Sequence, residues 1–170
     1  MPLADWQIEN LCLVGMVTPF DSDLINPASI DVRLGDNLMI ESAATPDMIP
    51  YPLSGHSQAN PYEMVPGQFV LAQTDVTLNI PPSLAAQFVL KSSRAREGLQ
   101  HLLAGWIDPG FNGSVLTLEL KNVRQLQPVQ IWPGLLIGQI VFQRMDALPR
   151  RSYAETGRYN GDTTVQQSRG

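Results

Sequence analysis

Leu103-Ala104-Gly105-Trp106-Ile107-Asp108-Pro109-Gly110-Phe111-Asn112-Gly113, running on into Thr117-Leu118-Glu119-Leu120-Lys121-Asn122, decides how this chain folds. The stretch reads as strand, tight turn, strand. Ile107-Asp108 ends an apolar run, and Pro109-Gly110 is a turn dipeptide. Beyond Gly113, Leu116, Leu118 and Leu120 alternate with Val115, Thr117, Glu119 and Lys121, the period of a strand with one buried face. The alternation turns Glu119 away from the leucines. Taken as a hairpin, the stretch sets two carboxylates, Asp108 and Glu119, on neighbouring rungs, with the Phe111 ring at the tip. A carboxylate shielded from water can act as a general base. One on an edge hairpin simply faces solvent, as most charged residues do. Both readings stand at this point.

Downstream, Gln127 to Trp132 and Leu135 to Arg144 read as two further strands, broken at Pro133-Gly134. Upstream, Leu84 to Leu90 is an apolar run suited to a buried strand, and Gln68 to Gln73 and Asp75 to Ile80 are strands. Residues 43 to 66 carry Pro46, Pro50, Pro52, Pro61, Pro66 and Gly55, which predicts an irregular surface excursion with His56 in a loop. In Ile25 to Gly35, Ile30, Val32 and Leu34 alternate with Ser29, Asp31 and Arg33. That pattern predicts a strand whose Asp31 and Arg33 pair along one face. Residues 3 to 14 suit a short helix capped by Asp5 and ended by Gly15, followed by a loop over Thr18 to Asp23. The stretch from Asp146 to Gly170 has few aliphatic residues but holds Arg150, Arg151, Arg158, Arg169, Tyr153 and Tyr159, the composition of a mobile arm. Many short strands at regular spacing indicate an all-β sandwich or barrel.

The totals narrow the class. One domain of 170 residues with 44% hydrophobic and 16% charged content buries a real core. Fourteen prolines and thirteen glycines suit short strands and tight turns better than helices. A single cysteine, Cys12, allows no internal disulfide and no thiolate zinc cage, which fits an intracellular setting. Met1 to Asp5 lacks a signal-peptide pattern, and no run approaches the roughly 18 apolar residues of a membrane span, so a cytoplasmic protein without a membrane partner is expected. A net charge of -5 argues against a nucleic-acid surface but leaves room for a small anion site.

Such a site has a candidate in Lys91-Ser92-Ser93-Arg94-Ala95-Arg96, where three cations and two hydroxyls fall within six residues. Hydroxyls, backbone N–H groups at a strand-to-helix turn and Arg forks together cradle an anion. A solvated helix start has the same composition. His101 suits packing or hydrogen bonding, and Trp6, Trp106 and Trp132 suit the core or an interface.

Four blocks of the chain, in order, resemble the dCTP deaminase family, the deaminating relatives of the trimeric dUTPases. Ile25 to Gly35, INPASIDVRLG, is similar to the family's N-terminal strand motif. Lys91 to Leu99, KSSRAREGL, resembles its R-S-S-x-x-R-x-G-L motif. His101 to Phe111 with Thr117 to Asn122 resembles A-G-x-I-D-x-G-F followed by T-L-E-L-x-N. Trp132 to Ile140 and Tyr159 to Arg169 are similar to its last strands and closing tail.

The resemblance implies a distorted jelly-roll or β-barrel of the dUTPase-like type with a short N-terminal helix. It implies one β domain over residues 1–145 and a tail over 146–170 that closes over the active site. It also implies a homotrimer with sites between subunits and a dCTP- or dUTP-type nucleotide as partner. The catalytic glutamate falls on Glu119, and the catalytic serine and arginine on Ser92 and Arg96. Asp108 would hold the deoxyribose 3'-hydroxyl and Phe111 would pack under the sugar. Lys91, Ser93, Arg94, Ala104, Thr117, Leu118, Gln139, Tyr153, Arg158, Tyr159 and Asp162 complete the implied substrate-binding set. Mg²⁺ would serve the phosphate oxygens only.

Zinc deaminases make their hydroxide on a metal held by His and Cys, with H-x-E and P-C-x-x-C motifs. This chain has one Cys, two His and neither motif, so deamination without zinc at the chemical step is expected. Three departures from the family pattern matter. Lys91 replaces an Arg, keeping the charge and losing the bidentate fork. Asp162 stands where a Gln is usual, in a place meant for a triphosphate. The stretch between Gly113 and Glu119 is one residue longer, so a β-bulge is needed to keep Glu119 facing inward. Ala104-Gly105-Trp106 resembles the branch that carries dCTP on to dUMP. The expected activity is deamination of dCTP to dUTP and ammonia, extending to dUMP and pyrophosphate, in pyrimidine deoxynucleotide supply. A dUTPase or dCMP deaminase on the same scaffold, or a nucleotide-binding trimer without activity, are the alternatives.

Overall fold

The computed structural model describes residues 1–170. The chain runs α1 (Asp5–Leu13), β1 (Val17–Thr18), a 3-10 turn at Ser22–Leu24, β2 (Ile25–Asn26), β3 (Ser29–Ser42), β4 (Thr45–Pro52), β5 (Tyr62–Met64), β6 (Phe69–Asn79) and β7 (Leu84–Leu90). It continues with α2 (Ser92–Arg96), β8 (Leu99–His101), β9 (Trp106–Ile107), β10 (Asn112–Asn122), β11 (Val129–Ile131), β12 (Leu136–Arg144) and α3 (Tyr153–Thr156). Ten strands form one sheet in the order β8-β10-β6-β3-β12-β7-β9, with β1 on β6 and with β2 and β4 on β3. A separate ribbon pairs β11 with β5. No helix is long and apolar enough to cross a membrane.

The sheet curls because β3 serves two sets of neighbours. Its first half pairs with β12, and from Leu34 onward it pairs with β6 and β4. The curl brings the two ends of the sheet together. The Phe88 N–H on β7 donates to the Gly105 carbonyl, and the Phe88 ring lies 4.7 Å from the His101 ring on β8. Inside lies a core of 32 buried apolar residues, among them Leu118, Leu120, Ile140 and Phe142, all at 0% exposure. The inward set of β10 is the leucine set read from the alternation. This is the expected all-β, dUTPase-like barrel with one short N-terminal helix.

Several local expectations change. Strands β9 and β10 do not pair with each other. The turn forms as expected, with the Phe111 N–H donating to the Asp108 carbonyl and Gly110 at φ +93°. Past it, however, β9 joins β7 while β10 joins β6 and β8. The turn is therefore a corner between the two ends of the curled sheet, and Asp108 and Glu119 are not rungs of one hairpin.

Residues 45–52, expected to be irregular, form β4 despite Pro46, Pro50 and Pro52. It pairs only with β3, and an edge strand has N–H groups to spare. The two strands expected over 68–80 are one strand, β6, broken in register at Thr74 to Val76. Asp31 and Arg33 do not pair with each other. Asp31 accepts from Asn26 and forms an ion pair with Lys91, while Arg33 bonds Asp21 at 2.9 Å, because partners on neighbouring elements lie closer than i, i+2 along a strand. Asp5 does not cap α1 either. The Ala4 N–H is taken by Gln7 Oε1. Of the tryptophans, only Trp132 packs on the core, while Trp6 and Trp106 are exposed.

Candidate active site

Strand β10 carries the site, and a bulge sets its register. Asn112 lies opposite Asn79 and Ser114 opposite Leu78, so Gly113 is an extra residue in β10, at φ +65°. This is the bulge expected for the longer stretch before Glu119. The partner strand answers with a second irregularity, since Val115 faces Thr77 but Thr117 faces Gln73. Thr74 fills that gap in the ladder: its Oγ1 accepts from the Leu116 N–H at 3.0 Å and donates to the Val76 carbonyl at 2.9 Å. Together these place Val115, Thr117 and Glu119 on the wall of a cavity of about 710 Å³. That is in the range of small-molecule sites.

Four segments close the cavity. Phe69 and Leu71 of β6 continue the β10 wall, and Ala104, Trp106, Ile107, Asp108 and Phe111 form the corner opposite. Asp47 and Met48 of β4 lie at one edge, and Tyr153, Tyr159, Asp162, Gln166, Gln167 and Ser168 of the tail cover the rest. The tail is thus docked, not a mobile arm. Composition predicted mobility because it counted aliphatic side chains, and Val165 is the only buried residue from 146 to 170. The tail is held instead by backbone groups. Tyr153 N–H donates to the Pro109 carbonyl, Val115 N–H to Asp162, and Gly161 N–H to Asn112. Gln73 Oε1 accepts from Val165 N–H at 2.9 Å, and Thr117 Oγ1 accepts from Gln166 N–H at 3.3 Å. Such a tail satisfies its own polar backbone as a strand would.

The charged groups in this space are acidic. Asp47, Asp108, Glu119 and Asp162 line it, and no lysine or arginine does. The Asp108 carboxylate is held by the Trp106 indole N–H at 3.0 Å. Phe111 is 7% exposed, its ring 5.7 Å from that of Tyr153. Asp162 Oδ1 pairs with Arg169 at 2.6 Å, and Arg169 also lies over the Tyr159 ring. Asp162 Oδ2 is buried without a partner. Glu119 Oε2 and His101 Nε2 lie 3.3 Å apart, yet too bent for a hydrogen bond, so both stay unpartnered and shielded from solvent.

Eight of the expected site residues meet here: Ala104, Asp108, Phe111, Thr117, Glu119, Tyr153, Tyr159 and Asp162. The others do not. The Leu118 side chain is in the core. Gln139 bonds Ser29 on the opposite part of the sheet, and Arg158 is exposed. Lys91, Ser92, Ser93, Arg94 and Arg96 sit at α2, away from the cavity, with Lys91 bound to Asp31 and Arg94 to Glu97 at 2.9 Å. Sequence reasoning missed His101, Met48 and Gln167 as parts of the site. Only the curl of the sheet and the docking of the tail bring them in. Gln167 and Ser168 do fall in the block that resembles the closing tail and His101 opens another such block, so only Met48 had no signal at all.

A curled antiparallel barrel, with a nucleotide-sized cavity at the corner of the sheet and its own C-terminal segment across it, defines a β-barrel of the dUTPase type. A dUTPase from Streptococcus mutans shares the fold, with a TM-score of 0.51 and 19% identity over 76% of this chain and 92% of that one. A 2'-deoxycytidine 5'-triphosphate deaminase from Agrobacterium tumefaciens superposes with a TM-score of 0.69 and 23% identity over 87% of this chain, which spans about half (49%) of that structure. Residues 3–145 match the model of the dCTP deaminase-like family, and the chain belongs to it. Similar proteins include the dUMP-forming dCTP deaminases of Methanosphaerula palustris, 37% identical over 99% of this chain and 95% of that protein, and of Acidothermus cellulolyticus, 39% identical over the same shares.

Proposed function

We propose that this protein hydrolyses the C4 amine of dCTP, releasing ammonia, and carries the product on to dUMP and pyrophosphate. The observation that carries the reading is Glu119: a carboxylate on the cavity wall of β10, with one oxygen buried and unpartnered, in a chain of this family. Water adds its oxygen to C4, and Glu119 takes its first proton and passes it to ring N3. Glu119 then takes the second proton, from the new C4 hydroxyl, and gives it to the amine, so that C4=O forms as the C4–N bond breaks with loss of ammonia. Asp108 accepts the 3'-hydroxyl, and Phe111 packs beneath the sugar against Tyr153. In the second half-reaction a water attacks the α-phosphate and pyrophosphate leaves.

The charge distribution supports a site shared between copies of the chain. Four carboxylates beside a polyphosphate repel it by about 4 kcal/mol per close pair at the effective dielectric of a partly buried site. Arg169 already pairs with Asp162 in the same tail, but no lysine or arginine lines the cavity beside Asp47, Asp108 and Glu119. Ser92 and Arg96 are exposed on α2, and their side chains make no hydrogen bond within the chain. In our reading a second copy inserts that segment at the phosphates, in a homotrimer, with Ser92 and Arg96 orienting the water and Ser93 and the α2 backbone binding phosphate oxygens. The tail over 146–170 closes the site. The donor set also fits Mg²⁺ carried on the nucleotide: Asp162 Oδ2 is a hard oxygen without a partner at the cavity. Bound there, the ion would offset phosphate charge. The chemical step at C4 needs no zinc in this reading, because Glu119, Ser92 and Arg96 supply the proton carrier and the orienting groups.

The test is incubation with dCTP, dUTP and dCMP plus Mg²⁺, following ammonia and pyrophosphate separately. Ammonia and pyrophosphate from dCTP are expected. Pyrophosphate from dUTP without ammonia from dCTP would make it a dUTPase, and ammonia from dCMP alone would reassign the substrate. Neither product from any of the three would leave a nucleotide-binding protein.

A further inference from the structure

We infer that His101 is a positioning residue for Glu119. The inference rests on the reading of Glu119 as the base. His101 closes β8 opposite Leu120, next to Glu119 in β10, and the Leu102 N–H that follows donates to the Glu119 carbonyl at 3.3 Å. Its side chain is only 5% exposed. The ring is boxed in. Phe88 lies edge-on at 4.7 Å, and Gly105 passes so close that a Cβ there would stand 3.4 Å from His101 Cε1 and 2.4 Å from the Phe88 carbonyl oxygen. The imidazole therefore has few places to turn. Its Nε2 faces Glu119 Oε2 at 3.3 Å, and neither atom has another partner.

Two buried polar atoms left alone are rare, because each forgoes its bond to water. These two are complementary when Nε2 carries the proton. The pair is within reach at 3.3 Å, and catalytic hydrogen bonds in ligand-free sites are often bent until substrate binds. With Oε2 held by His101, Oε1 is the oxygen left for the reacting water. A carboxylate free to spin would present either oxygen at varying angles, and misplacement of a base is costly in rate.

Two measurements test this on the full-length protein. The chain has two histidines, so ¹⁵N-histidine spectra assigned with His56→Asn isolate the His101 ring. A proton on Nε2 at neutral pH is expected. A ring carrying its only proton on Nδ1 would overturn the inference. In kinetics, His101→Phe keeps the packing on Phe88 and removes the donor. It should lower kcat for ammonia release roughly 10- to 100-fold, as loss of an orienting partner does, with KM within about twofold. His101→Gln, whose amide nitrogen falls near Nε2, should recover most of the loss. A purely structural histidine would give the reverse order, Phe active and Gln impaired, and that order overturns the inference, as does a Gln variant no faster than Phe. Glu119→Gln is run alongside. If it is inactive while His101→Phe is as fast as the native protein, only the histidine inference falls. If it keeps full turnover, the reading of Glu119 falls, and the Nε2 proton is decided by the spectra on their own.

Discussion

The cavity wall and the α2 segment are opposites. The wall is apolar and acidic, roofed by its own tail, with Glu119 and Asp162 each holding one buried oxygen that bonds to nothing in the chain. The α2 segment is a five-residue helix with Ser92, Ser93 and Arg96 in solvent. One region keeps buried carboxylate oxygens without a donor, and the other keeps Ser92, Ser93 and Arg96 side chains without a partner. The difference is what supports the proposal that the functional unit is an interface, where the exposed Arg96 of one copy would meet the acidic cavity of another.

The comparison breaks most sharply at Glu119. Glu119→Gln keeps the shape and removes the base, so ammonia release should fall about a hundred- to ten-thousand-fold, with nucleotide binding by calorimetry little changed. Undiminished turnover would remove the acid side of the contrast. Next is Arg96→Ala. It leaves the chain's own contacts untouched and should still cost roughly a hundredfold in kcat, the scale for one charge-stabilising donor. Unchanged kinetics would make α2 a solvated helix start.

The tail gives a smaller effect. Val165 is its only buried side chain, so Val165→Asp puts a charge where none is solvated and should loosen the cover without unfolding the barrel. A rise of about tenfold in KM, equivalent to about 1.4 kcal/mol, is expected with the melting temperature nearly unchanged. A large drop in melting temperature would mean that the tail is part of the core.

The smallest effect concerns pH. Burial pushes the Asp75 carboxyl above the usual carboxylate range, opposed by the Arg33 N–H it accepts and by the Arg33 charge. A raised folded-state value adds stability below the unfolded value of about 3.9. That contribution is lost as pH rises through the folded value. Asp75→Asn, which still accepts from Arg33, should therefore gain on the native protein in urea midpoint between pH 3 and pH 7. A difference that does not vary with pH would contradict the sign.

Much of this was legible in the chain. The leucine alternation of β10, the Asp108-Pro109-Gly110 turn and the apolar strand at Leu84–Leu90 follow from periodicity and turn chemistry, while the bulge before Glu119 followed from the family resemblance. Where the chain misleads, the cause is pairing. A turn looks the same whether its two strands join each other or leave for opposite ends of a curled sheet, so the apparent hairpin at Pro109 was not one. Three prolines argue against a central strand and say little about an edge, hence β4. The tail hid its docking because its hold is main-chain N–H groups on Gln73, Thr117 and Pro109, which no hydropathy count sees. His101 and Glu119 are eighteen residues apart and meet only through the β8–β10 register.

The claim that one site needs Glu119 from one copy and Arg96 from another has a direct measurement. Glu119→Gln and Arg96→Ala subunits, each strongly impaired, are mixed, dissociated and reassembled, and ammonia release from dCTP is followed. Random pairing of two kinds of subunit leaves about a quarter of the shared sites with both native residues, so activity near that fraction should return. A mixture no faster than its two parents would contradict the account and return both residues to separate places on a single chain.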